Sequence, residues 1–158
     1  MFRTILLPID GSDLTEAILP HLIDLARPLQ ARVVLLHALP TLSAMLLQPG
    51  GVLGASGDAA ASVEIATQSI EAEREAAESL LAAIRTRLEQ EGIACESEIR
   101  EGDPARTILE VAAEKEVDLI AMATHGRAGL GRLLLGSVAD EVVRNPPHLP
   151  VLLVRTEA

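Results

Sequence analysis

Gly126, Gly129, Gly131 and Gly136 fall within eleven residues, interleaved with Arg127 and Arg132, closed by Ser137 and free of acidic side chains. Glycine lets a backbone adopt positive φ and come close to a ligand, and free N–H groups at a following helix start attract phosphate. Ser137 can cap that helix and offer its hydroxyl and N–H to an anion, while Arg127 and Arg132 can neutralise charge. This local absence of acid contrasts with a formal charge of −10 for the whole chain. The chemistry these residues favour is non-covalent capture of an anion.

A second polar cluster, Pro8-Ile9-Asp10-Gly11-Ser12, follows the first apolar run. Asp10 suits either a local turn cap or a ligand contact. Other chemistries lack their residues. Gly131 to Ser137 has Walker spacing, but Ser137 stands where the phosphate-binding lysine belongs, and no Gly-x-Gly-x-x-Gly follows the first strand. The Ser-Gly-Gly-x-Asp-Ser type of loop of an ATP pyrophosphatase is missing too. His125 has no Ser or Cys nucleophile pattern beside it and reads as a structural or backbone-contacting residue. Neither a metal cluster nor a paired-carboxylate site is visible.

These residues need a scaffold that brings strand ends together. Five short apolar runs alternate with longer helical patterns, which predicts one α/β domain over residues 1–158 with an open, mostly parallel sheet and helices on both faces. Strands are expected at Thr4 to Ile9, Arg32 to His37, Ile93 to Ile99, Val117 to Ala123 and Val151 to Val154. The third alternates apolar with charged residues and belongs near an edge; the others are nearly continuous in apolar residues, as strands covered on both faces should be. His37 reads as core, and Cys95 as a small apolar residue.

Helices fill the intervals. Asp13 and Glu16 have capping-box spacing for the first, which should run towards Arg27-Pro28 with a kink at Pro20. A long helix is expected from Val63 to Glu91, with Ala77, Leu81, Ile84 and Leu88 on one face. Asp103-Pro104 opens the next as cap and first residue, and the last starts near Ser137 and stops before Asn145-Pro146-Pro147. Between Pro40 and Ala61 the periodicity fails, predicting a mobile loop at 40–61. With strand order 3-2-1-4-5, the loops after the first and fourth strands meet in one crevice at the switch point.

Composition narrows the partners. Aromatic residues are 1% of the 158, with Phe2 alone, so no platform exists to stack single-stranded bases, and the acidic balance opposes a nucleic-acid backbone. A single cysteine excludes an intramolecular disulfide. No segment reads as a secretory signal or membrane span, so no membrane partner and a cytoplasmic setting are expected. The final strand, 150–154, is apolar on both faces and would leave an unprotected sheet edge, which pairing with a second copy would cover.

Taken together, Ile5-Leu6-Leu7-Pro8-Ile9-Asp10-Gly11-Ser12, Val33-Val34-Leu35-Leu36-His37-Ala38, Thr124-His125-Gly126-Arg127, Leu135-Gly136-Ser137-Val138-Ala139 and Pro150-Val151-Leu152-Leu153-Val154 resemble the universal stress protein family over nearly the whole chain. The resemblance implies a Rossmann-like fold, a homodimer through the C-terminal strand, and a stress-response protein that binds ATP and acts through ligand state. It places adenine against Pro8, Ile9, Asp10 and Ala38. Ribose and phosphates would lie near Met122, Ala123, His125, Gly126, Arg127, Gly136, Ser137, Val138 and Ala139, with Mg²⁺ held mainly by the phosphates. The nucleotide-binding branch carries Gly, two residues, Gly, nine residues, then Gly with Ser or Thr; here Ala123 replaces the first glycine. If position 123 needs positive φ the strain is of order 1 kcal/mol, and otherwise only a methyl is added. The alternative implied is a dimeric interaction module whose site is empty or takes AMP or cAMP. No general base for hydrolysis is displayed, which favours a binding protein over an enzyme.

Overall fold

The computed structural model describes residues 1–49, 57–126, 136–145 and 149–157. Five parallel strands, β1 (Thr4–Pro8), β2 (Arg32–Leu39), β3 (Cys95–Glu101), β4 (Leu119–Gly126) and β5 (Val151–Glu157), form one sheet in the order β3-β2-β1-β4-β5. The order and the five-stranded α/β class agree with the sequence reading, and β3 and β5 are the edges.

Side chains alternate across the sheet and bury two separate cores. On one face, Ile5, Leu7, Val33, Leu35 and Leu119 pack against Ile18, Leu19 and Leu22 of α1 (Leu14–Leu29) and Leu81, Ile84 and Leu88 of α3 (Ala59–Gln90). On the other, Leu6, Val34, Leu36, Ile120 and Met122 meet Ile108 and Val111 of α4 (Pro104–Glu114) and Ala139 and Val142 of α5 (Ser137–Arg144). Burial on both faces explains why β1, β2 and β4 read as continuous apolar runs. The edge strand β3 carries Glu96, Glu98 and Arg100 instead, and Arg100 bridges Glu98 and Glu114.

Several local expectations are corrected. Asp13 has helical angles and makes no side-chain cap bond, so the capping box does not form; Glu16 reaches Arg87 of α3 at 2.9 Å instead. α1 continues through Pro20 to Leu29, one residue beyond Pro28. Strand β3 begins two residues later than expected and reaches Glu101, while β4 extends to Gly126 and β5 to Glu157, because neighbouring backbone pairs recruit polar residues that apolar patterning cannot flag. Within 40–61, Leu42–Leu47 form a short helix, α2, whose Thr41 side chain accepts from the Ala44 N–H at 3.2 Å. Order also enters that segment from its other end, where the Asp58 carboxylate caps α3 through the Ala60 N–H at 2.9 Å. Residues 50–56 lie outside the described set.

His37 is 5% exposed, as a core residue should be, and its Nε2 lies 3.3 Å from Glu73 of α3. Among the described residues no helix is long and apolar enough to cross a membrane.

Candidate functional site

The crevice follows from the way β1 and β4 separate. They pair only at Ile5 with Leu119 and Leu6 with Ile120, after which β1 stays on β2 and β4 stays on β5. Their carboxyl ends therefore diverge at the switch point, where α1 departs to one face and α5 follows on the other. The result is a cavity of about 450 Å³, within the usual small-molecule range.

Of the residues singled out from sequence, Pro8, Ile9, Asp10, Ala38, Met122, Ala123, Gly136, Ser137, Val138 and Ala139 line this cavity. His125 and Gly126 are the last residues of β4, in register with Thr156 and Glu157. Arg127 and Arg132 lie outside the described residues. The walls also include Leu14, Thr15 and Ile18 of α1, Leu36 of β2, Pro104 and Ile108 of α4, and Thr124, none of which was anticipated. Periodicity could have found some of them. Leu36 shares the strand face of Ala38 two residues on, and Ile108 lies one helical turn beyond Pro104.

Polarity is divided along the cavity. Ile9, Ile18, Leu36, Ile108 and Met122 are each at most 7% exposed and form a dry interior. Asp10, Gly136 and Ser137 are exposed at the mouth. Among the described residues Asp10 is the only ionisable side chain on the wall. Its Oδ1 accepts from the Ser12 N–H at 2.9 Å and the Ser12 hydroxyl at 2.6 Å, a closed turn made possible by Gly11 at φ +78°. The turn-capping role of Asp10 is thus realised.

Gly136, not Ser137, is the N-cap of α5, and Ser137 is the first helical residue. The expected side-chain cap is absent, so the N–H groups of the first turn face the mouth without a protein acceptor from the cap. Gly136 has φ −53°, and a Cβ there would meet nothing within 4 Å. The fold itself does not need glycine at this position; what its absence of side chain preserves is open space beside the helix start. Asp140 lies in the same first turn, but its carboxylate is drawn to Arg144 at 2.7 Å, which moderates its repulsion of an anion.

Ala123 sits inside β4 opposite Val154. Among the described residues only Gln30 and Glu116 combine a side chain with positive φ. The strain expected for alanine in place of glycine is therefore not incurred, and the change amounts to one methyl on the cavity wall.

A doubly wound α/β protein with a small-molecule crevice outside the carboxyl ends of β1 and β4 is the class that this fold and site define. The universal stress protein family model matches residues 1–155, and the chain belongs to that family. Universal stress protein MJ0531 of Methanocaldococcus jannaschii is 34% identical over 98% of this chain and 83% of its own length. Among solved structures, the protein MJ0577 of that organism superposes with a TM-score of 0.75 at 26% identity, covering 100% of this chain and 99% of the other. A universal stress protein in complex with cAMP shares the fold at 22% identity and TM-score 0.59, covering 98% of both chains. So does an Arabidopsis thaliana family member with AMP bound, at 17% identity and TM-score 0.64, covering 99% of this chain and 93% of its own.

Proposed function

We propose that this protein is a cytoplasmic stress-response regulator that binds an adenine nucleotide in the β1–β4 crevice, ATP first, and signals through ligand occupancy in a homodimer. The observation that carries the reading is the polarity of the cavity: a dry aliphatic interior opens onto the uncapped start of α5 beside Gly136. Aliphatic walls can cover the faces of a base, and first-turn N–H groups can take phosphate oxygens.

Among the described residues there is no group of three His, Cys, Asp or Glu able to hold a metal. The residues present therefore fit Mg²⁺ only as a passenger on the phosphates, where it would offset their charge; Arg127 and Arg132 are the side chains proposed to share that task. Among the described residues the wall presents Asp10 alone as an ionisable group, and that carboxylate is engaged in its own turn, which favours a binding role over rapid hydrolysis. Strand β5 pairs with β4 on one side only, and Val151 to Val154 are half-buried, which supports a second copy of the chain on its free edge.

AMP or cAMP is the second reading, favoured by the bound ligands of the two family members above. Calorimetry with ATP, AMP and cAMP, with and without Mg²⁺, decides between them. The expected result is ATP binding that is weakened at least tenfold by Gly136→Val, since a side chain there would enter space the fold leaves open. ATP binding unaffected by Gly136→Val would overturn the proposed phosphate position.

A further inference from the structure

The Thr15 hydroxyl has no hydrogen-bond partner among the described residues, although the residue is only 6% exposed and lines the cavity. Thr67 and Thr86 of α3 donate their hydroxyls to the carbonyls of Val63 and Ala82 at 2.8 and 2.9 Å, the usual refuge of a hydroxyl on a helix. Thr15 makes no such bond to Gly11; only its backbone N–H is engaged, by Ser12 O at 3.2 Å. Its neighbours on the wall, Leu14 and Ile18, are apolar.

The enclosed unsatisfied side-chain atoms among the described residues are His37 Nδ1, Glu96 Oε1 and Glu98 Oε2, so the Thr15 hydroxyl is not sealed off but open to the cavity, where a ligand can reach it; valine has the same shape and a similar helix propensity and would lack only that hydroxyl. The other polar groups of the cavity are accounted for differently: Asp10 Oδ1 is held by Ser12, Thr124 is engaged, and Ser137 lies at the exposed mouth. Thr15 is thus the hydroxyl that α1 contributes to the cavity wall and that no described residue engages.

We propose that Thr15 is a specificity-determining residue whose hydroxyl hydrogen-bonds a polar edge atom of the bound base, an inference that rests on the nucleotide reading above. Aliphatic walls cover the two faces of a base but offer nothing to its ring nitrogens or exocyclic amine. One hydroxyl, able to donate or accept, supplies that contact and leaves itself unsatisfied for any ligand whose buried part is purely apolar. The residue is held by the first turn of α1, so the hydroxyl is positioned before the ligand arrives.

The test is calorimetry with AMP as probe on the wild type, Thr15→Val and Thr15→Ser, together with thermal melts without nucleotide. Thr15→Val is expected to weaken AMP binding about five- to tenfold, as the loss of one hydrogen bond does. Thr15→Ser is expected to bind within twofold of wild type, and the melts confirm that each variant is folded. Equal binding by wild type and Thr15→Val would overturn the inference, and so would a loss in Thr15→Ser as large as that in Thr15→Val, since shape would then be the cause. Thr15→Ala, which removes the hydroxyl without adding a methyl, reads the same loss if Thr15→Val proves misfolded by circular dichroism. If the wild type itself binds no AMP, ATP or cAMP, the nucleotide reading fails and takes this one with it.

Discussion

Ala123→Gly restores the glycine that the nucleotide-binding branch of the family carries, and the structure specifies what that exchange should do. Position 123 is in the middle of β4, paired with Val154, and its φ is not positive. Glycine's conformational freedom is therefore of no use there, and in a strand interior it costs about 0.5–1 kcal/mol relative to alanine. The Ala123 methyl also packs against the core face shared by Ile5, Leu7 and Ile18, from which its removal forfeits up to about 0.8 kcal/mol, less because the residue is only half-buried. The sum is a destabilisation of about 1–1.5 kcal/mol, or a Tm lower by roughly 2–6 °C for a domain of this size. Nucleotide affinity should change by less than about threefold, since the strand backbone that faces the ligand is the same with either residue. Scanning calorimetry of the ligand-free protein and titration with ATP measure the two quantities on the same samples. An ATP affinity raised more than tenfold with no loss of Tm would refute the reasoning, because it would mean that the alanine obstructs the site and contributes nothing to the strand.

Other positions give independent checks. A Cβ at Gly102 would lie 2.8 Å from the hydroxyl of buried Thr107, and φ there is +155°, so Gly102→Ala should lower stability by about 2 kcal/mol in urea unfolding; a change within 0.5 kcal/mol would show that the turn relaxes freely. Asp118 accepts from the N–H groups of Arg3 and Thr4 at 2.8 and 2.9 Å, and these bonds hold its carboxyl below the usual range. A depressed carboxyl contributes stability that is present above its unfolded pKa and lost as pH falls through the folded one. Asp118→Asn should therefore flatten part of the acid limb of the stability curve below about pH 4, and an unchanged acid limb would refute the assignment. Burial pushes the Cys95 thiol up to about 11, so disulfide reagents at pH 8 should label it slowly in the native state and rapidly in denaturant; equal rates would contradict this. Sedimentation at micromolar concentration should give a dimer that an arginine at Leu152 weakens, and a stable wild-type monomer would remove β5 from the proposal.

The site was legible where the chemistry is local. Ser137 announced the start of α5, although not as its cap, and Asp10-Gly11-Ser12 announced a turn, which the Asp10 carboxylate indeed closes. Less legible were Thr15, Ile18, Pro104 and Ile108, because they reach the cavity from α1 and α4, helices whose tilt over the sheet no local pattern encodes. The capping box at Asp13 and Glu16 failed for a related reason: Glu16 has a tertiary partner in Arg87, a residue 71 positions away.

The α/β class, the strand order and the polar loops at the strand ends can all be read from the chain without its coordinates. Apolar runs alternating with amphipathic ones leave few ways to bury both faces of a parallel sheet, and each connection contributes its turn chemistry locally. The backbone state at Ala123, the unpartnered hydroxyl of Thr15 and the lining of the crevice emerge only when the chain is folded. Each depends on how far β1 and β4 stay paired before they part, and that distance is set by packing on both faces of the sheet together, not by any one segment of the chain.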